Sequence, residues 1–307
     1  MARPKIAVVG SYGVGMTMRL DHVPGAGETV SGGRYDAGPG GKGSNQAIGA
    51  ARLGASVSLL TAVGSDTLAA DAFALWEREG VDSSHVVTGT ASTMVGFILV
   101  ERSGENRIVI APGALDELSI GAVEAFRPVM RDADVVVVSM EIPLDAVTSA
   151  LRIAHEEGAT VILNPAPASA LPEESWQHID MLTPNQTEAP ILLGLPSDHG
   201  LSSRELVGAL RERSGATVVL TLGSEGALVA HGDTIESVAP LTPPRVVDTT
   251  GAGDSFTAAL AVALGSGLPL LDAVHRAAAA GAFAVGIEGV IDALPYPGDL
   301  EKLLATD

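Results

Sequence analysis

Short apolar runs alternate with stretches of helical spacing along most of this chain, and that alternation limits the folds open to it more than any other feature. The runs at 5–10, 56–64, 134–140, 160–163, 181–183 and 217–222 are continuous, as strands covered on both faces must be. Between them, 44–53, 68–79, 120–131, 144–157 and 203–213 repeat apolar residues every three or four positions, the spacing of a helix with one face on a sheet. Strand and helix in alternation predict an α/β fold of three layers, a mostly parallel central sheet flanked by helices. Two later helices, 253–264 and 270–285, are Ala-rich and nearly apolar all round, so they belong inside the fold.

Two segments break the rhythm. Residues 28–36 and 93–110 alternate with period two, the second around a turn at Ser103-Gly104-Glu105-Asn106, and neither leads at once into a helix. They read either as antiparallel strands of a small β lid or as hairpins at the sheet edge; the pattern favours neither. No repeat or long linker interrupts the chain, and Pro243-Pro244 is too short to mark a domain boundary; the length suits one large domain or two smaller ones.

Charge and composition exclude several functions. With 37 acidic and 18 basic side chains the chain carries −19, and lysine occurs only at Lys5, Lys42 and Lys302, which leaves no basic stripe for nucleic acid. A mean hydropathy of +0.31 supports a large core. No apolar run reaches the roughly 18 residues of a membrane helix, and Met1–Lys5 leads into a strand without a signal pattern, so a cytoplasmic protein with no membrane partner is expected. With no cysteine, thiol catalysis and thiolate metal sites drop out, and the seven histidines show no HxxxH spacing for zinc.

Glycines concentrate at 10–15, 38–43, 223–226 and 251–253. The first cluster has GxxGxG spacing and not the GxGxxG of dinucleotide folds, so a dinucleotide-dependent oxidoreductase has weak support, and in Gly41-Lys42-Gly43 the residue after the lysine cannot reach magnesium, so this is not a P-loop. At Asp248-Thr-Thr-Gly-Ala-Gly-Asp-Ser-Phe256, by contrast, Gly-Ala-Gly precedes a long helical pattern, and free N–H groups and the positive end of the helix dipole meet there. That spot attracts an anion. Asp254, in the first turn, is either a proton acceptor for whatever binds or simply a helix N-terminal acid. Thr221-Leu-Gly-Ser-Glu-Gly226 ends a strand and reads as a ligand loop or a plain β-turn.

Four motifs then occur in order: GGKGSNQA at 40–47, NPAPA at 164–168, TPNQTEA at 183–189 and DTTGAGDSF at 248–256. Together they resemble the signatures of the ribokinase-like (PfkB) carbohydrate kinases, and the likeness runs from Lys5 to about Pro295. The resemblance implies a single domain over 1–307 with lid segments at about 12–40 and 92–112, and an ATP-dependent kinase that phosphorylates a hydroxyl of a small sugar. It assigns Asp254 as general base and Gly251, Ala252 and Gly253 as the anion hole. Gly41, Lys42 and Asn45, with Glu141 and Asp254, match sugar contacts; for Lys42 the alternative is a solvated loop lysine, and for Asn45 a helix N-cap. Asn185, Thr221, Gly223, Ser224, Gly226 and Gly253 fall on the nucleotide side. Asn185 and Glu188 would organise Mg2+ through water, and Asp248 and Thr250 lie near a monovalent-cation (K+) loop. Relatives often dimerise through the lid, which singles out Phe97 and Ile98; the alternative is packing within one chain.

This chain departs from the family pattern in two places. Gly13 and Gly15 stand where the family has an Asn and an Asp that hold sugar hydroxyls, which removes a charged acceptor and is expected to leave space. Ribose is disfavoured on that ground, and a nucleoside or modified-sugar kinase is the alternative, with a non-catalytic nucleotide- or sugar-sensing protein as a third reading. At 286–294, Ala293 replaces a family Ser that helps hold potassium.

Overall fold

The computed structural model describes residues 3–243 and 245–305; the first two residues of the expected strand lead-in and Pro244 of the Pro-Pro pair lie outside the described residues. The strands are β1 Lys5–Val9, β2 Gly13–Arg19, β3 Arg34–Gly40, β4 Ser56–Leu60, β5 Ala62–Val63, β6 Val81–Asp82, β7 Val87–Thr88, β8 Val95–Val100, β9 Asn106–Ala111, β10 Val135–Ser139, β11 Thr160–Asn164, β12 Met181–Leu182, β13 Thr217–Thr221, β14 Ala227–His231 and β15 Thr234–Val238. The α-helices are α1 Lys42–Arg52, α2 Thr67–Glu79, α3 Ile120–Ala125, α4 Arg127–Asp132, α5 Leu144–Glu156, α6 Glu188–Leu192, α7 Ser203–Ser214, α8 Ala252–Gly265, α9 Leu270–Ala284 and α10 Pro297–Leu304.

Nine strands form the large sheet in the order β15-β14-β13-β12-β11-β10-β1-β4-β6, parallel except at β13–β14 and β14–β15. Its central strands explain the continuous apolar runs. Ile6 and Val8 of β1 pack with α1, α2, α8 and α9 on one face, while Ala7 and Val9 pack with α3, α4, α5 and α7 on the other. β10 repeats the division, Val135 and Val137 against Val136 and Val138. Full burial of each such side chain stabilises by about 1.5–3 kcal/mol, so period-two polarity would be costly here.

Several boundaries differ from the sequence expectation for local reasons. The helix expected at 120–131 is two helices, α3 and α4, because Pro128 in the first turn of α4 has no N–H to continue the earlier turn. The run at 56–64 divides at Thr61 into β4, in the large sheet, and β5, which pairs with β7. Of the alternating segment 28–36, only Arg34 onward is strand; Gly32 and Gly33 keep the earlier part irregular. The glycine cluster at 10–15 conceals the start of β2.

The smaller sheet has the order β3-β2-β8-β9; β2–β3 and β8–β9 are antiparallel and a parallel β2–β8 pairing joins them. β3 passes through Gly41 directly into α1. That connection brings the small sheet to the carboxyl ends of β1, β10, β11 and β12, where open α/β sheets bind ligands.

Candidate active site

The site is built on two helix starts. α8 begins after Gly251, whose φ of 80° is left-handed and whose missing Cβ would lie 3.0 Å from Val290. Ala252 N–H makes only a 3.4 Å bond to Thr249, and among the described residues the N–H groups of Gly253 and Asp254 have no backbone partner. Nothing lies within 4 Å of where a Cβ on Gly253 would be. Two free donors, open space and the dipole of a 14-residue helix therefore coincide.

Asp254, 8% exposed, lies between α8 and α1. Its Oδ2 accepts from Asn45 Nδ2 at 2.8 Å and its Oδ1 from Gln46 Nε2 at 3.0 Å. Asn45 is the fourth residue of α1, whose N-cap is Gly41, so the N-cap reading of Asn45 is excluded. The helices approach closely because Gly49 has no side chain; a Cβ there would be 2.9 Å from Ala258 Cβ. Burial raises the Asp254 pKa above 3.8 and Glu141 adds to it, against the pull of Lys42 and the two amides.

Lys42 opens α1, and its backbone N–H donates to Glu141 Oε2 at 3.0 Å. Ser11 Oγ donates to the same oxygen at 2.5 Å, so Glu141 ties the β1 and α1 loops together. The Lys42 ammonium makes no ion pair among the described residues; burial opposes its charge, but Asp254, Glu141 and Glu188 outweigh that and raise its pKa. This is not a solvated loop lysine. Gly41 has φ 89° and a Cβ there would be 2.5 Å from Tyr12 Cα, so glycine is required by the protein's own backbone as well as by any ligand.

Asn185 and Glu188 fold into a reciprocal cap at the start of α6. Asn185 Oδ1 accepts from Thr187 N, Thr187 Oγ1 and Glu188 N at 2.6–2.9 Å, and Glu188 Oε2 accepts from Asn185 N at 2.8 Å. The Asn185 oxygen is thus fully used, and Glu188 Oε1 is the free acceptor. Burial raises the Glu188 pKa. Thr221 pairs with Asn185 as an isolated parallel bridge. Lys42, Asn164, Asn185, Glu188, Thr221, Thr250, Gly251, Gly253 and Asp254 line one cavity of about 300 Å3. Gly223, Ser224 and Gly226 form a short turn outside that lining.

Asp248 Oδ1 accepts from Thr250 N and Oγ1 at 2.9 and 2.7 Å, and Oδ2 from Gly289 N at 3.3 Å. These bonds outweigh burial and lower its pKa. Asp248 therefore fastens the loop of the buried Ala293 to the start of α8.

The space expected at Gly13 and Gly15 is present at one of them. A Cβ on Gly13 would collide with the Met94 methyl, so that volume is filled; one on Gly15 would meet nothing nearer than Ile98 at 3.8 Å. Sequence reasoning also missed Gln46, Asn164 and Ser11 as site residues. Gln46 and Asn164 lie inside the GGKGSNQA and NPAPA motifs, which was the available signal.

The family signature of the pfkB family carbohydrate kinases matches residues 3–297. A ribokinase of Bacillus subtilis is 36% identical over 303 residues, 98% of this chain and 99% of its own length. A ribokinase of Haemophilus influenzae is 34% identical over 294 residues, 95% and 96% of the two chains. The Arabidopsis thaliana ribokinase solved with ribose and ATP superposes with a TM-score of 0.88 at 30% identity, covering 99% of each chain. Fold, motif order and these likenesses agree: the chain belongs to the pfkB family of carbohydrate kinases, ATP-dependent phosphotransferases that act on a sugar hydroxyl.

Proposed function

We propose that Asp254 is the general base of this kinase, and the observation that carries it is a buried carboxylate held by two neutral amides beside two unpartnered helix N–H groups. The sugar hydroxyl gives its proton to Asp254 as its oxygen attacks the γ-phosphorus of ATP, and ADP leaves. The N–H groups around Gly251, Ala252 and Gly253 take up charge on the transferred phosphoryl oxygens, where preorganised dipoles act most strongly. Lys42 adds its charge. Asn45 joins the sugar side, its Oδ1 left without a partner among the described residues, so that small shifts of the sugar loops would offer it a hydroxyl. Gly41 and Glu141 complete the sugar side, and Asn185, Thr221, Gly223, Ser224, Gly226 and Gly253 serve the nucleotide.

Glu188 fits magnesium: one free carboxylate oxygen in the anion cavity is enough for an ion that keeps most of its waters. Bound there, Mg2+ would supply charge neutralisation to the phosphates. Asn185 acts through Glu188, since its own oxygen is occupied. Potassium has less support, because Ala293 offers no hydroxyl and Asp248 Oδ1 is taken by Thr250; exchange of potassium for sodium should leave kcat unchanged.

For the sugar, the lost acceptors at Gly13 and Gly15 favour a substrate with fewer hydroxyls than ribose. A relative of Salmonella typhi named deoxyribokinase, 33% identical over 253 residues, is consistent with that. A nucleoside or other modified sugar is the second reading. Gly38, Gly15 and Gly96 lie in register across β3, β2 and β8, and nothing is within 4 Å of the Cβ positions of Gly38 and Gly96. Three strands at their usual spacing give a floor of glycines about 10 Å wide, bordered at Gly15 by Ile98, enough for a planar group.

The small sheet serves as the lid of one kinase domain, and the reaction is placed in the cytoplasm, where ATP is made and spent. A coupled ADP-release screen over pentoses, deoxypentoses, polyols and nucleosides tests the substrate, and clear preference for ribose would defeat the specificity reading. Asp254→Asn should lower kcat by about 10²–10⁴ with ATP binding retained. Full activity in that variant would reject the base.

A further inference from the structure

Gln46 is 1% exposed and touches neither substrate nor phosphate in the chemistry described so far, only Asp254. Its Nε2 donates to Asp254 Oδ1 at 3.0 Å and to Asn164 Oδ1 at 3.1 Å, so both amide hydrogens are committed. Asn164 in turn lines the phosphate cavity at the end of β11, and its Nδ2 points to the Thr183 carbonyl at 3.3 Å. The amide of Gln46 is thus a strut between the carboxylate on α8 and the end of the central sheet. Its own Oε1 is buried without a partner, a cost that a residue serving only to fill space would not incur.

We propose that Gln46 is a positioning residue for the catalytic carboxylate, fixing the Asp254 plane against the sheet and sustaining its ionised form. This rests on Asp254 being the base. An amide is well suited to that role. A lysine or arginine there would neutralise the carboxylate and weaken it as a proton acceptor, whereas a neutral donor orients it and favours the ionised form with a smaller loss of basicity. Because Gln46 is sealed from the pocket, substrate cannot displace it.

The test is a pair of substitutions with Asp254→Asn in parallel. Gln46→Met keeps the volume and removes the donor; Gln46→Glu keeps the shape and sets a second carboxylate against Asp254. Losing one hydrogen bond to a charged group should lower kcat by about ten- to a hundredfold in Gln46→Met, with KM for sugar and ATP little changed. In both variants the acid limb of the kcat profile should move to higher pH, further in Gln46→Glu because like charges resist ionising together. The other charged groups facing Asp254, namely Lys42, Glu141 and Glu188, are untouched, so the displacement reports Gln46. Folded variants with the limb at its wild-type position, or a loss confined to KM, would overturn the proposal. If neither variant folds, the wild-type protein decides: the side-chain amide signals of Gln46 in a proton–nitrogen NMR titration must move with the midpoint of the acid limb, and their failure to move rejects it. An active Asp254→Asn removes the base itself. An inactive Asp254→Asn with unaffected Gln46 variants removes this inference alone.

Discussion

Asp254 couples activity and stability in opposite directions. Burial raises its pKa above 3.8 in the folded chain, as it raises that of Glu188 above 4.5. A raised carboxyl contributes stability that is fully present below the unfolded value and lost as pH rises through the folded one, so at neutral pH the ionised Asp254 is a liability to the fold. Asp254→Asn, expected to be nearly inactive, should therefore melt higher than wild type at pH 7, and the gain should vanish below pH 3.8. The amide can be accommodated, because the Asn45 oxygen, without a partner among the described residues, becomes an acceptor if that side chain flips. Thermal scans at both pH values check this, and a lower Tm at pH 7 would contradict it. For the same reason the acid limb of kcat/KM should lie above 3.8, and a limb at or below it would mean that Asp254 is not the group titrating.

At the scale of elements, the α1–α8 contact holds the base against its two amides. Gly49→Ala adds a methyl 2.9 Å from Ala258 Cβ, and both atoms are fixed to helix backbones. Alanine gains about 1 kcal/mol of helix propensity, but overpacking costs typically 1–3 kcal/mol and parts the helices. The variant should be less stable and should lose kcat more than KM; an unchanged kcat with raised Tm would show that the helices can give. Most of these elements were legible in the sequence. α8 and α9 were found within a residue or two, since an all-apolar helix has few alternatives. β2 was not, because its glycines carry no strand propensity and its pairing partners lie at Arg34–Gly40 and Val95–Val100. The break at Phe126 was missed although Pro128 announces it.

For the whole molecule, the open question of surface is the small sheet. Phe97, Ile108, Val109 and Ile110 are 49–67% exposed, and they lie on both faces of β8 and β9, whereas Ile98 is half-buried beside Gly15. So many exposed apolar side chains on one small sheet suit an interaction surface, and a second copy of the chain is the proposed occupant. Val109→Asp should yield monomers by light scattering if the lid forms a homodimer, and an unchanged mass would refute that interface. Among the described residues, no helix is long and apolar enough to cross a membrane.

Local pattern alone was enough to establish the α/β layering and an anion site before the last long helices, because continuous apolar runs and Gly-Ala-Gly before a helix have few physical meanings; the kinase reading and the role of Asp254 came from the resemblance of four ordered motifs to a family. Packing in three dimensions was needed to learn that Gln46 and Asn45 share the Asp254 carboxylate, that Met94 fills the gap at Gly13, and that the Asn185 oxygen is consumed by a cap. Those outcomes depend on contacts between residues as much as 209 positions apart, and local pattern holds no record of which distant atoms share a space.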